Sequence, residues 1–157
     1  SPLEFGLFYG MISLGFIAGT LTGAKIVTRH GFNRSLGVGA AALAGGGLLL
    51  IAAVGFAPSR IAVLALPMMI FLAGVGLVLP LSMAAALHPF PERAGAASSF
   101  MGSVQQVVGA AVGVIIGHAL GASAWPMVIG IAVSGCTTLL LWLATRDVRT
   151  RPLKPHT

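Results

Sequence analysis

Residues 35–57 read SLGVGAAALAGGGLLLIAAVGFA and contain no ionised side chain. A helix that crosses a bilayer needs about 20 mostly apolar residues, and this stretch meets that requirement in both length and composition. Arg34 and Arg60 bound it, and the pattern repeats on both sides. Nothing is charged between Arg60 and Glu92, or between Arg93 and Arg146. Hydrocarbon offers no water to backbone N–H and C=O groups, so such runs close their hydrogen bonds internally, as helices. Working outward from 35–57, five spans emerge, at about residues 5–27, 35–57, 61–87, 94–120 and 124–145. The turns between them contain Gly, Pro, Ser or Asn, the residues that interrupt helices. The expected fold class is an all-α membrane protein with five transmembrane helices, and consecutive spans joined so tightly are expected to be antiparallel neighbours.

Composition excludes most other classes. Of 157 residues, 57% are hydrophobic and 8% charged, whereas a soluble domain carries about 25% charged residues. Mean hydropathy is +0.99. The chain has a net charge of +6, but its cations sit at span ends and in the tail. They form no basic stripe interleaved with aromatics, so lipid is an expected partner and nucleic acid is not. The single cysteine, Cys136, excludes an internal disulfide and a cysteine metal cluster. His88 and His118 fall near opposite membrane faces and cannot ligate one iron. No His-Glu-x-x-His sequence occurs, and neither Ser98-Ser99 nor Ser134-Gly135 has a partner that would make a nucleophile. No enzyme activity, cofactor or metal is expected.

Charge placement also sets an orientation. Lys25, Arg29, Arg34, Arg93, Arg146, Arg149, Arg151 and Lys154 fall on one side of the membrane, and only Arg60 on the other. The positive side faces the cytoplasm, which puts the N-terminus outside and the basic tail, 146–157, inside. That tail is polar, holds Pro152 and Pro155, and is expected to be unstructured. An odd number of spans with an external start fits a piece of a longer protein.

Three features stand out within the spans. Gly15, Gly19 and Gly23 repeat every fourth residue in the first span, and Gly109, Gly113, Gly117 and Gly121 do so in the fourth. Such ladders let another backbone approach closely; they are read here as packing surfaces, with Gln106 on the same face as the second ladder. Pro67 and Pro80 interrupt the third span and free carbonyls that need a polar cavity or a partner. Met68, Met69 and Phe71 lie on that span, and Gln105 lies at the edge of the fourth span's glycine face. These four are the candidate lining of a substrate cavity. No Asp, Glu, Lys or Arg lies deep within a span, so the intramembrane acid that a proton-driven pump needs is not among these residues.

The third turn and fourth span carry a resemblance. Phe90-Pro91-Glu92-Arg93-Ala94-Gly95-Ala96-Ala97-Ser98-Ser99, then Phe100-Met101-Gly102-Ser103 and Gly109-Ala110, and later Ser123-Ala124-Trp125-Pro126-Met127, resemble the bicyclomycin-resistance (Bcr/CflA) type of drug:proton antiporter in the major facilitator superfamily. There a phrase of the form P-x-x-A-G-T/A-A-S-S/A opens the eleventh helix. Gly19 through Gly31 also resembles the weaker copy of the superfamily's cytoplasmic loop signature, keeping Gly23, Arg29 and Gly31 without the acidic residue of the stronger copy.

The resemblance implies that the five spans correspond to helices eight to twelve of a twelve-helix transporter in the bacterial inner membrane. The two ladder spans would then meet an N-terminal half, the Pro-interrupted span would line the central cavity, and the second and fifth spans would lie outside. It implies a parent that exchanges protons for amphipathic drugs by alternating access. Helices one to seven, where the coupling acid and much of the drug site lie in that family, are not in this chain, which alone is expected not to transport. The competing expectation is a membrane scaffold or subunit that offers packing surfaces and transports nothing.

Overall fold

The apolar runs become helices almost from turn to turn. A computed structural model describes residues 2–56, 61–120 and 123–145 of the chain. Its helices are α1 (Pro2–His30), α2 (Phe32–Phe56), α3 (Ile61–Leu87), α4 (Ala94–Leu120) and α5 (Trp125–Ala144). A single 3-10 turn, Pro91–Arg93, precedes α4, and no strand occurs among the described residues. All five helices are long and apolar enough to cross a membrane. The protein is an all-α membrane protein. The turn around Pro58-Ser59-Arg60, the final ladder residue Gly121, and the tail from Arg146 lie outside the described residues.

One residue joins α1 to α2. Gly31 has φ +80°, a left-handed conformation that side chains with a Cβ avoid. Its N–H donates to Val27 O at 3.0 Å, closing the end of α1. Its carbonyl accepts from the N–H of Ser35 at 3.2 Å and from Ser35 Oγ at 2.8 Å, opening α2. Ser35 is fully buried, and its hydroxyl is satisfied within this elbow, as a buried polar group must be.

Packing does not follow chain order. Although one residue separates them, α1 and α2 touch little. Instead α1 lies along α3, α3 along α2, and α2 along α5. The expectation that consecutive spans are packed neighbours holds for α2 and α3 but fails for α1 and α2. The reason is side-chain size. Small residues on α2, among them Gly39, Ala40, Ala44, Gly46 and Gly47, are buried and let α3 and α5 approach on either side. A Cβ on Gly46 would lie 2.6 Å from Phe71 N, and one on Gly47 would lie 2.7 Å from Ala132 Cα. Leu50 and Val54 of α2 and Val128 of α5 form a buried cluster that Met68 and Ile131 pack against. In lipid, such interlocking replaces the hydrophobic effect as the cohesive force.

Helix α4 stands apart. In its most apolar window 0% of residues are buried, against 44% for α2. It touches its neighbours at isolated points. Ile116 Cδ1 would lie 2.9 Å from a Cβ on Gly130 of α5, and Gln105 Nε2 lies 3.7 Å from Met83 Sδ of α3.

Candidate functional site

The prolines of α3 leave the helix continuous from Ile61 to Leu87. Pro80 has no N–H, so the carbonyl four residues earlier, on Gly76, loses its intrahelical donor. The structure supplies another. Thr20 Oγ1 of α1 lies 3.2 Å from Gly76 O and 3.0 Å from Phe16 O, so its hydroxyl is placed to serve both acceptors. The orphaned carbonyl is answered by a neighbouring helix rather than by a polar cavity. Sequence reasoning did not single out Thr20, although counting back four residues from Pro80 points to the acceptor it serves.

The same interface takes up the first glycine ladder. Gly15, Gly19 and Gly23 are buried. A Cβ on Gly15 would lie 2.9 Å from Met69 Cα, one on Gly19 would lie 2.7 Å from the Cα and the carbonyl carbon of Ala73, and one on Gly23 would lie 3.3 Å from Leu77 Cγ. Across the contact, a Cβ on Gly76 would meet Phe16 O and lie 3.0 Å from Thr20 Oγ1. The α1 ladder was expected to meet a second half of the protein. Its glycine face is instead filled by α3 of the same chain, because α3 offers Ala73 and Gly76, small residues that complete the fit.

The expected cavity residues on α3 are dispersed. Met68 packs toward the Leu50, Val54 and Val128 cluster. The backbone of Phe71 abuts Gly46 of α2, while that of Met69 abuts Gly15 of α1. The structure does not gather these three around one space. Gln105 is exposed on α4, and its amide nitrogen faces Met83. Gln106 is exposed beside it, at the start of the second ladder.

That second ladder is open. Cβ atoms on Gly109, Gly113 and Gly117 would meet nothing within 4 Å. The surrounding surface of α4 is apolar and bare, with Phe100 71%, Val107 69% and Ile115 67% exposed. Of the two ladders, only this one is free to receive another element.

Two contacts fix which residues share an end of the bundle. Phe32, beside the Gly31 elbow, lines one groove with Ala84, Ala85 and His88 at the end of α3. Trp142 Nε1 near the end of α5 donates to Asn33 O at 3.2 Å. The loop-signature residues Gly23, Arg29 and Gly31 thus lie at or toward the end of the bundle that also carries Arg34 and the turn before Arg93. Among them Gly23 packs on Leu77, Gly31 makes the elbow, and Arg29 is exposed. Among the described residues no group of three or more His, Cys, Asp or Glu could hold a metal ion.

The chain is similar to multidrug resistance proteins. It is 37% identical over 84 residues to multidrug resistance protein MdtL of Escherichia coli O157:H7, a match covering 54% of this chain and 21% of the relative. It is 36% identical over 84 residues to MdtL of Escherichia fergusonii, with the same coverage. The match therefore spans about a fifth of the length of these relatives. No family model matches the chain, and no solved structure does so.

Proposed function

We propose that this chain is the C-terminal part of a proton-coupled multidrug efflux antiporter of the major facilitator superfamily, of the Bcr/CflA type. Its five helices then correspond to helices eight to twelve of a twelve-helix transporter. The observation that carries this reading is the bare, glycine-lined α4, a helix built for close packing whose Gly109, Gly113 and Gly117 meet nothing among the described residues. The multidrug resistance proteins to which the chain is similar support the substrate class. An N-terminal half is the natural partner for α4. A cavity between the halves, rocking between two openings, would carry amphipathic drugs outward against protons. Gln105, set beside Met83, is the residue on α4 that we assign to the wall of that cavity, whereas Met68 and Phe71 brace α3 on α2 and α5.

The test is accumulation of a fluorescent lipophilic cation in an efflux-deficient bacterium. The chain joined to the coding sequence upstream of it lowers accumulation, and a protonophore restores it. The chain alone leaves accumulation unchanged. Export by the chain alone, or none from the joined form across a panel of amphipathic cations, contradicts the proposal.

Orientation is a separate expectation. The end bearing Lys25, Arg29, Arg34 and Arg93 faces the cytoplasm by the asymmetry of positive charge, and the N-terminus lies outside. With Cys136→Ala as background, a cysteine at Ser123 reacts with an impermeant thiol reagent in intact cells. One at Glu92 reacts only after permeabilisation. The reverse pattern inverts the topology.

A further inference from the structure

We propose that the groove where the ends of α1, α2 and α5 meet seats one anionic phospholipid. The groove has a volume of about 600 Å³, within the usual range of about 300–1,000 Å³ for small-molecule sites. Its walls are mainly apolar, with Ile26 of α1 and Val38 and Ala41 of α2 among them. Its rim carries Arg34 and His30, and no acidic residue lines it. Sequence order explains the layout. Arg34, Val38 and Ala41 are spaced at three and four residues, so they share one face of α2, with the cation at its start and the apolar residues one and two turns deeper. Ile26 and His30 repeat that arrangement on α1, one turn apart.

The occupant follows from where this groove lies. Val38 is 51% exposed on the side of a helix long enough to span the membrane, so the groove opens into hydrocarbon. A ligand from water would have to enter through lipid. A phospholipid is already there, with an acyl chain to lie over Val38 and Ala41 and a phosphate at the depth of Arg34. A guanidinium binds phosphate oxygens through paired N–H donors. Trp142 closes the α5 side, at the position along a span where tryptophan meets the headgroup layer. A zwitterionic lipid brings an ammonium with its phosphate and gains less from a rim with no acid. This site does not depend on the transport reading, because it uses none of the α4 surface.

Trp142 reports on its own groove. Trp125→Phe removes the only other tryptophan, at the opposite end of α5. The full chain is reconstituted in phosphatidylcholine vesicles containing increasing fractions of brominated phosphatidylglycerol, or of brominated phosphatidylcholine as reference. One cation at the membrane surface favours an anionic lipid by about fivefold. The brominated phosphatidylglycerol should therefore half-quench Trp142 at about one-fifth the mole fraction that the reference needs. Arg34→Gln removes that preference, and Arg34→Lys, which keeps the charge, retains most of it and separates charge loss from misfolding. Equal quenching by both lipids overturns the proposal. So does a preference that survives Arg34→Gln, which would mark a general surface potential. Protection of Trp142 from both lipids overturns it too, because protein would then cover the groove.

Discussion

Gly19→Leu breaks the α1–α3 interface. A Cβ at position 19 would sit 2.7 Å from both the Cα and the carbonyl carbon of Ala73, so the obstruction is backbone and cannot rotate away. The two helices must separate, and Thr20 leaves Gly76 O when they do. Overpacking costs about 1–3 kcal/mol and sometimes more; a leucine against backbone, with an acceptor stripped of its donor inside lipid, belongs at the top of that range. The measurement is unfolding of the reconstituted chain by dodecyl sulfate titration. Gly19→Leu unfolds at a markedly lower detergent fraction than the parent. Gly10→Leu, where a Cβ meets nothing within 4 Å, unfolds with the parent. Equal resistance of the two variants refutes this account of the interface.

Gly113→Leu produces the opposite pair of results. Nothing lies within 4 Å of a Cβ there, so the chain by itself folds and inserts as before. In the complete transporter we propose, α4 packs through this ladder against the other half, and the packing must change as the cavity alternates. A leucine that obstructs one conformation by about 1–3 kcal/mol and spares the other shifts their populations about 5- to 150-fold. Drug export from an equally expressed variant then falls by about tenfold or more. Export at the parental level from a well-expressed Gly113→Leu variant removes α4 from the moving interface. The two variants together ask whether identical spacing serves two purposes, one static and one mobile.

That question exposes where the residue string was readable. The five helices were legible because lipid excludes charge, and Arg34, Arg60, Glu92, Arg93 and Arg146 punctuate the apolar text. The break between the first two spans was legible, but as a turn over 28–34 rather than as the single residue Gly31. The partners of each helix were not legible. Gly15, Gly19 and Gly23 look the same in one dimension as Gly109, Gly113 and Gly117, yet the first set meets α3 and the second meets nothing among the described residues. What separates them is complementarity on another helix, Ala73 and Gly76, more than fifty residues away in the chain. The packing partners of Met68, Met69 and Phe71 were not legible for a related reason. Their helix is apolar on every side, so periodicity names no inward face, and only the fold shows that they pack toward α1, α2 and α5. Pro80 announced an orphaned carbonyl but not its remedy, because a threonine hydroxyl on another span leaves no local trace.

The bond from Trp142 to Asn33 spans 109 positions. It ties α5 to the elbow between α1 and α2. A ribosome delivers Asn33 long before Trp142, and α2 must wait in the bilayer with Gly37 and Gly47 bare until α5 is threaded beside it. The packing of α2 is therefore completed late, when α5 docks against it, and an unfinished copy exposes a sticky groove to any passing helix.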